Sequence, residues 1–122
     1  MKKILVVDDD KDIAKGVAAW LELHSFEVFL AHDGKAGITE ARRIKPSLIL
    51  LDVVLPLING IDACRALKED RETSHIPIIM LTSLSDIGDV EKAFQAGAND
   101  YISKPFQMDR LDAKIKKHLR QE

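Results

Sequence analysis

The chain carries one cysteine, Cys64. A lone thiol cannot form an internal disulfide, which fits a reducing compartment. No apolar run approaches the roughly 18 residues needed to cross a membrane. Met1-Lys2-Lys3 opens like a signal peptide, but only Ile4-Leu5-Val6-Val7 follows before three aspartates, too short for an apolar leader segment. A basic excess is missing as well. Lys and Arg number 18 against 20 Asp and Glu, a formal net charge of −2, and that makes no electrostatic case for nucleic acid. Internal repeats, low-complexity tracts and linkers are absent, so residues 1–122 read as one domain, long enough to bury an ordinary core. The expectation is a cytoplasmic protein with no membrane or nucleic-acid contact of its own.

What is present centres on Leu48-Ile49-Leu50-Leu51-Asp52. Four apolar residues in a row, introduced by Pro46, predict a strand buried on both faces and ending in a carboxylate. Ile4-Leu5-Val6-Val7 predicts a second such strand, ending in Asp8-Asp9-Asp10. Ile13, Val17, Trp20 and Leu21 follow at helical spacing, so these aspartates lie on a strand-to-helix turn, with Asp10 or Asp12 as N-cap. Val28-Phe29-Leu30 predicts a strand. His32-Asp33-Gly34 then opens a helix carrying Ile38, Ala41 and Ile44, capped by Asp33 and stopped by Pro46. Gly37 inside that helix is expected to cost about 1 kcal/mol relative to Ala. Past Asp52, Pro56 and Asn59-Gly60 mark a loop, and Ile61, Cys64 and Leu67 supply one face of a third helix. Ile76 to Leu81 predicts another buried strand, delivering Thr82 and Ser83. Asp86 is the expected cap of a fourth helix with Val90, Ala93, Phe94 and Gly97 along one face. Tyr101-Ile102 predicts a short fifth strand that hands over Lys104-Pro105, and Met108, Leu111, Ile115 and Leu119 mark one face of the last helix.

Strand and helix alternate five times with short connections, which argues for a doubly wound α/β fold with a parallel sheet covered on both sides. Ligands bind such sheets beyond the C-terminal ends of the strands, where the strand order reverses. In the order 2-1-3-4-5 that point falls between the first and third strands. Asp8, Asp9 and Asp52 would converge there, with Thr82 and Lys104 on the far side. Clustered carboxylates repel one another unless a cation neutralises them. Mg²⁺ suits the set, being a hard ion held by one or two carboxylates that also ligates phosphate. An Asp carboxylate can accept a phosphoryl group, and phosphoryl transfer needs mainly positioning and charge neutralisation.

These residues carry a resemblance. The chain resembles the receiver domains of two-component response regulators, of which the chemotaxis regulator is the single-domain type. The likeness runs from Ile4 to about Leu119 through Val6-Val7-Asp8-Asp9-Asp10, Leu51-Asp52-Val53-Val54-Leu55-Pro56, Asn59-Gly60, Leu81-Thr82-Ser83 and Gly97-Ala98-Asn99-Asp100-Tyr101-Ile102-Ser103-Lys104-Pro105-Phe106. It implies a flavodoxin-like (βα)5 fold in the order 2-1-3-4-5 and a phosphorylation-dependent switch that forms an aspartyl phosphate. Asp52 would be the phosphoacceptor, fed by a histidine kinase or phosphotransfer protein. Asp9 would bind Mg²⁺ directly, Asp8 largely through water, and Val54 through its backbone carbonyl. Thr82 and Lys104 would hold phosphoryl oxygens, Tyr101 would report the state of the site, and the Lys104-Pro105 peptide would be cis. Output to a downstream effector or a missing output domain would use the fourth helix, fifth strand and fifth helix, roughly residues 86–119, a face that could also form a homodimer. Val54 and Leu84, two residues after Asp52 and Thr82, are apolar here, which predicts slow self-dephosphorylation. Leu57-Ile58 departs from the small residue usual after that proline and leaves the loop's conformation open.

Other readings lose on named residues. An Asp-nucleophile phosphatase wants a second carboxylate where Val54 stands, so the chain would catalyse only its own phosphorylation and dephosphorylation. A nucleotide or flavin module wants a phosphate-cradling loop where Asp8-Asp9-Asp10 would repel an anion. A degenerate receiver, acting as a phosphorylation-independent interaction module, is the remaining alternative. Elsewhere, Cys64 reads as a small buried hydrophobe and Trp20 as helix packing. His24, His32, His75 and His118 read as surface residues, and the basic end of the last helix, Lys114 to Arg120, as complementing its dipole.

Overall fold

Five short runs of consecutive apolar residues become five strands because both faces of the sheet are covered. The computed structural model describes residues 1–83 and 87–119, with the backbone alone for residues 87–89. The elements run β1 (Lys3–Val7), α1 (Lys11–Leu23), β2 (Glu27–Ala31), α2 (Gly34–Ile44), β3 (Leu48–Asp52), α3 (Gly60–Glu69), β4 (Ile78–Thr82), α4 (Ile87–Gln95), β5 (Asp100–Ser103) and α5 (Met108–Leu119). The sheet is parallel throughout, in the order β2-β1-β3-β4-β5. The expected flavodoxin-like doubly wound architecture is therefore the observed one.

Alternation along each strand sorts the core into two layers. Ile4, Val6, Leu48, Leu50, Ile79 and Leu81 face Ala14, Val17 and Leu21 of α1 and Leu111, Ile115 and Leu119 of α5. Leu5, Val7, Ile49, Leu51, Ile78 and Met80 face α2, α3 and α4 through Ile38, Ala41, Cys64, Leu67 and Ala93. Leu48 to Asp52 is buried at every position. Cys64 is fully buried, as expected of a small hydrophobe.

Short polar residues cap three helices, Asp10 and Asp33 as expected and Asn59, read from sequence only as part of a loop, in addition. Asp10 accepts from the backbone N–H groups of Asp12 and Ile13, Asp33 from Ala36, and Asn59 from Asp62. Gly97 ends the α4 segment at φ +105°. Asp86, Leu84 and Arg120 lie outside the described residues.

Two expectations about faces are corrected. Phe94 is 43% exposed, because the inward line of α4 is filled by Ala93 and Ala96 instead. His118 is 7% exposed, since it continues the Leu111–Ile115 face of α5 and finds a carboxylate partner there. Among the described residues, no helix is long and apolar enough to cross a membrane.

Candidate functional site

Parallel strands deliver their C-terminal residues to one edge of the sheet. β1 and β3 are neighbours, with Val7 beside Leu51, so Asp8, Asp9 and Asp52 emerge together. One carboxylate oxygen from each lies within 4.8 Å of the other two. Asp8 is fully buried and Asp52 is 5% exposed, whereas Asp9 faces solvent.

Burying two carboxylates side by side requires a positive partner. Lys104 supplies it, its Nζ donating to Asp8 Oδ2 at 2.8 Å and to Asp52 Oδ2 at 3.0 Å. The ammonium thus stands between the two carboxylates and not across the crevice from them, a correction to the sequence reading. Asp8 Oδ1 accepts from the Asp10 N–H at 2.9 Å, and Asp52 Oδ1 from the Val54 N–H at 3.3 Å. Burial pushes the Asp52 carboxyl above its ordinary value. The Lys104 ammonium pulls it back, but Asp8 adds repulsion, and the net direction is up. For Lys104 burial acts downward and is outweighed by its bonds to Asp8 and Asp52, so its ammonium is held above its ordinary range.

The surrounding backbone fixes this edge. Val53 N–H donates to Leu81 O at 3.1 Å, and Lys104 N–H to Thr82 O at 2.7 Å. Thr82 is buried one position beyond Leu81, the register partner of Asp52. A Cβ on Gly60 would lie 1.9 Å from Asp52 O, so only glycine lets α3 start this close to β3. The Lys104-Pro105 peptide is cis. The loop left open by Leu57-Ile58 is now defined: Leu57 adopts φ +69° with its side chain 77% exposed.

Tyr101 is half-buried, edge-on to Phe94 at a 6.0 Å centroid separation, with Lys114 Nζ 5.9 Å from its ring centre. Asp100, beside it, accepts from Lys114 Nζ at 2.9 Å and pairs with His118 Nε2 at 3.0 Å. Two histidines therefore escaped the sequence reading as surface residues. His118 ties α5 to β5, and half-buried His32 has Nδ1 3.0 Å from the Asp8 carbonyl. The spacing Leu111, Ile115, His118 was a usable signal for the first; nothing in sequence spacing pointed to the second.

The donor set can be tested against a cation. Three carboxylate oxygens form a hard cluster of the kind Mg²⁺ takes. Asp8 and Asp52 each already accept hydrogen bonds on both carboxylate oxygens, whereas the exposed Asp9 carboxylate accepts none among the described residues and is the one most open to an ion. The residues fit.

Comparison with known proteins returns one family throughout. A family model described as the response regulator receiver domain matches residues 4–116. The DNA-binding response regulator MtrA of Mycobacterium tuberculosis is 42% identical over 119 residues, covering 98% of this chain and 51% of that protein. The response regulator ArlR of Staphylococcus saprophyticus is 39% identical over 122 residues, covering 100% and 54%. The chain thus spans about half the length of these relatives. Among solved structures, a CheY-like receiver domain protein from Methanospirillum hungatei superposes with a TM-score of 0.93 at 30% identity, covering 99% of this chain and 95% of that one. The receiver domain of a sensor histidine kinase from Pseudomonas aeruginosa, with a magnesium ion coordinated in its active site cleft, gives 0.90 at 32% identity, covering 97% of each.

Proposed function

This chain belongs to the response regulator receiver domain family, and from that premise we propose that it is a phosphorylation-dependent signalling switch with Asp52 as phosphoacceptor. The observation that carries the reading is the single ammonium shared by two buried carboxylates, with a third, exposed carboxylate beside them. In the proposed reaction an oxygen of Asp52 attacks the phosphorus of a donor phosphohistidine. An O–P bond forms, the N–P bond breaks, and the departing imidazole nitrogen takes a proton. Asp9 and Asp52, with Asp8 through water and the Val54 carbonyl, would hold Mg²⁺, which offsets charge on the transferring group. Lys104 meets one phosphoryl oxygen and the Thr82 hydroxyl another, so the new charge draws β4 and β5 towards Asp52. The same residues would serve its hydrolysis, and no other substrate is proposed.

The proposed donor is a histidine kinase or phosphotransfer protein. A largely apolar cleft of about 530 Å³ opens beside Lys104, lined by Ile13, Gly16, Val17, Phe106 and Met108, where such a donor could bury side chains. Tyr101 would follow the new charge and alter the α4–β5–α5 face, passing the state to an effector protein, an output domain or a second copy of the chain. Exposed Phe94 against Tyr101 supports that route. MtrA is named as DNA-binding; with a net charge of −2, we assign no DNA contact to residues 1–122, which we take as a single receiver unit in the cytoplasm.

The test is intact mass after incubation with Mg²⁺ and acetyl phosphate, beside Asp52→Ala. One labile phosphoryl group, dependent on Mg²⁺ and absent in the variant, is the expected result. A folded protein that acquires none would instead be a phosphorylation-independent interaction module.

A further inference from the structure

Asp8 is held at every polar atom. Its N–H donates to Ala31 O at 3.0 Å, and its two carboxylate oxygens accept from Asp10 and Lys104. Its carbonyl is the unusual one. The β1–β2 ladder ends at Val7 and Ala31, and beyond it β2 turns away to cap α2 with Asp33. No strand is left to bond the Asp8 carbonyl, and the His32 ring takes that role with Nδ1 at 3.0 Å. A carbonyl oxygen only accepts, so Nδ1 carries the proton. Asp8 is fully buried; without the ring its carbonyl would be an unsatisfied buried acceptor.

That carbonyl belongs to the peptide joining Asp8 to Asp9. The unit is planar, so a hydrogen bond to its oxygen also orients the nitrogen and Cα of Asp9. The Asp9 carboxylate itself is exposed and makes no hydrogen bond among the described residues. Its direction is inherited from the backbone behind it.

We propose that His32 is a positioning residue of the cation site: its Nδ1–H bond to the Asp8 carbonyl sets the Asp8–Asp9 peptide plane and thereby aims Asp9 at an ion shared with Asp52. The inference rests on the metal reading above but not on phosphoryl transfer. Outer partners that orient ligands this way are worth about 10- to 100-fold in metal affinity. Asparagine places an amide donor where His carries Nδ1, whereas alanine offers none.

The experiment is calorimetric titration of metal-free protein with MgCl₂ for wild type, His32→Ala and His32→Asn, with melting temperature measured alongside. His32→Ala is expected to weaken Mg²⁺ binding roughly tenfold, and His32→Asn to stay within about threefold of wild type, the donor being retained. Equal affinity in His32→Ala, or an Asn variant as weak as the Ala variant, overturns the proposal. A ¹⁵N spectrum of the wild-type imidazole needs neither metal nor variant: the proton belongs on Nδ1 of His32, and a ring protonated only at Nε2 refutes the geometry. Wild type that binds no Mg²⁺ removes the metal reading and this role together. Normal Mg²⁺ binding without an acetyl phosphate adduct removes only the phosphoacceptor and leaves His32 in place.

Discussion

Asp52 is held at a disadvantage by its own surroundings. Burial and the neighbouring Asp8 raise its carboxyl, and Lys104 offsets this only in part. A group that binds its proton more tightly folded than unfolded makes stability fall as pH rises through that interval, so its ionised form is a net cost at neutral pH. Asp52→Asn is therefore expected to melt at a higher temperature than wild type at pH 7 in chelator-treated buffer. The gap should narrow as pH drops towards the ordinary carboxyl value of 3.8. Circular dichroism melts across pH check this, and a lower melting point for the variant would mean that the Lys104 pair dominates. Two residues on, Val54 is 57% exposed and offers no polar group to a water approaching an acyl phosphate. Val54→Asn should shorten the phosphorylated lifetime by up to about tenfold, or ~1.4 kcal/mol of barrier, followed by mass against time. An unchanged lifetime would remove Val54 from that role. The carboxylates and Lys104 were legible in sequence because strand ends converge by geometry. His32 was not, because its partner is a backbone carbonyl 24 residues away and no spacing rule reports such a bond.

At the scale of elements, α2 and α5 carry the informative differences. Propensity alone makes Gly37 a flaw in α2. A Cβ there would meet Val7 Cγ1 at 2.9 Å, so the glycine lets the helix lie close on β1. Gly37→Ala should accordingly lose about 1–3 kcal/mol by overpacking, and not gain the ~1 kcal/mol that propensity alone offers; urea unfolding at constant slope decides between them. α5 is docked by Asp100. Burial acts to raise that carboxyl, but Lys114 and His118 outweigh it, and the net direction is down. Its contribution is then present above the ordinary value and lost as pH falls through the lowered one. Asp100→Asn should flatten the acid limb of the stability profile below about pH 4 while lowering stability at pH 7. An acid limb of unchanged steepness would show that other carboxylates set it. Helical spacing located both helices, yet counting only apolar residues hid His118 and turned Phe94 inward. Small residues on α4 and a paired histidine on α5 fill the positions that large hydrophobes were expected to hold.

For the whole molecule, the order of the strands is what makes a site at all. Five βα repeats were readable from runs and caps, but periodicity does not say which strands are neighbours; that came from resemblance and is now seen in the pairing of β1 with β3. Because the proposed cation ligands Asp9 and Asp52 follow two different strands, ion binding at that site should stabilise the entire fold. At 100 times its dissociation constant, Mg²⁺ would add about 2.7 kcal/mol. Wild type should melt higher with MgCl₂ than with a chelator, and Asp9→Asn should lose most of that increment. No increment in wild type would sink the metal reading.

Lys104 reaches back across 52 residues to Asp52 and 96 to Asp8. On a ribosome adding roughly 5–20 residues per second, the Asp52 carboxylate is made some 3–10 s before the ammonium that completes its surroundings. A nascent or truncated chain ending before β5 has the acid without its counter-charge. On the proposed reading, competence to receive a phosphoryl group would arrive late in synthesis, and a half-made copy would not draw such groups away from finished ones.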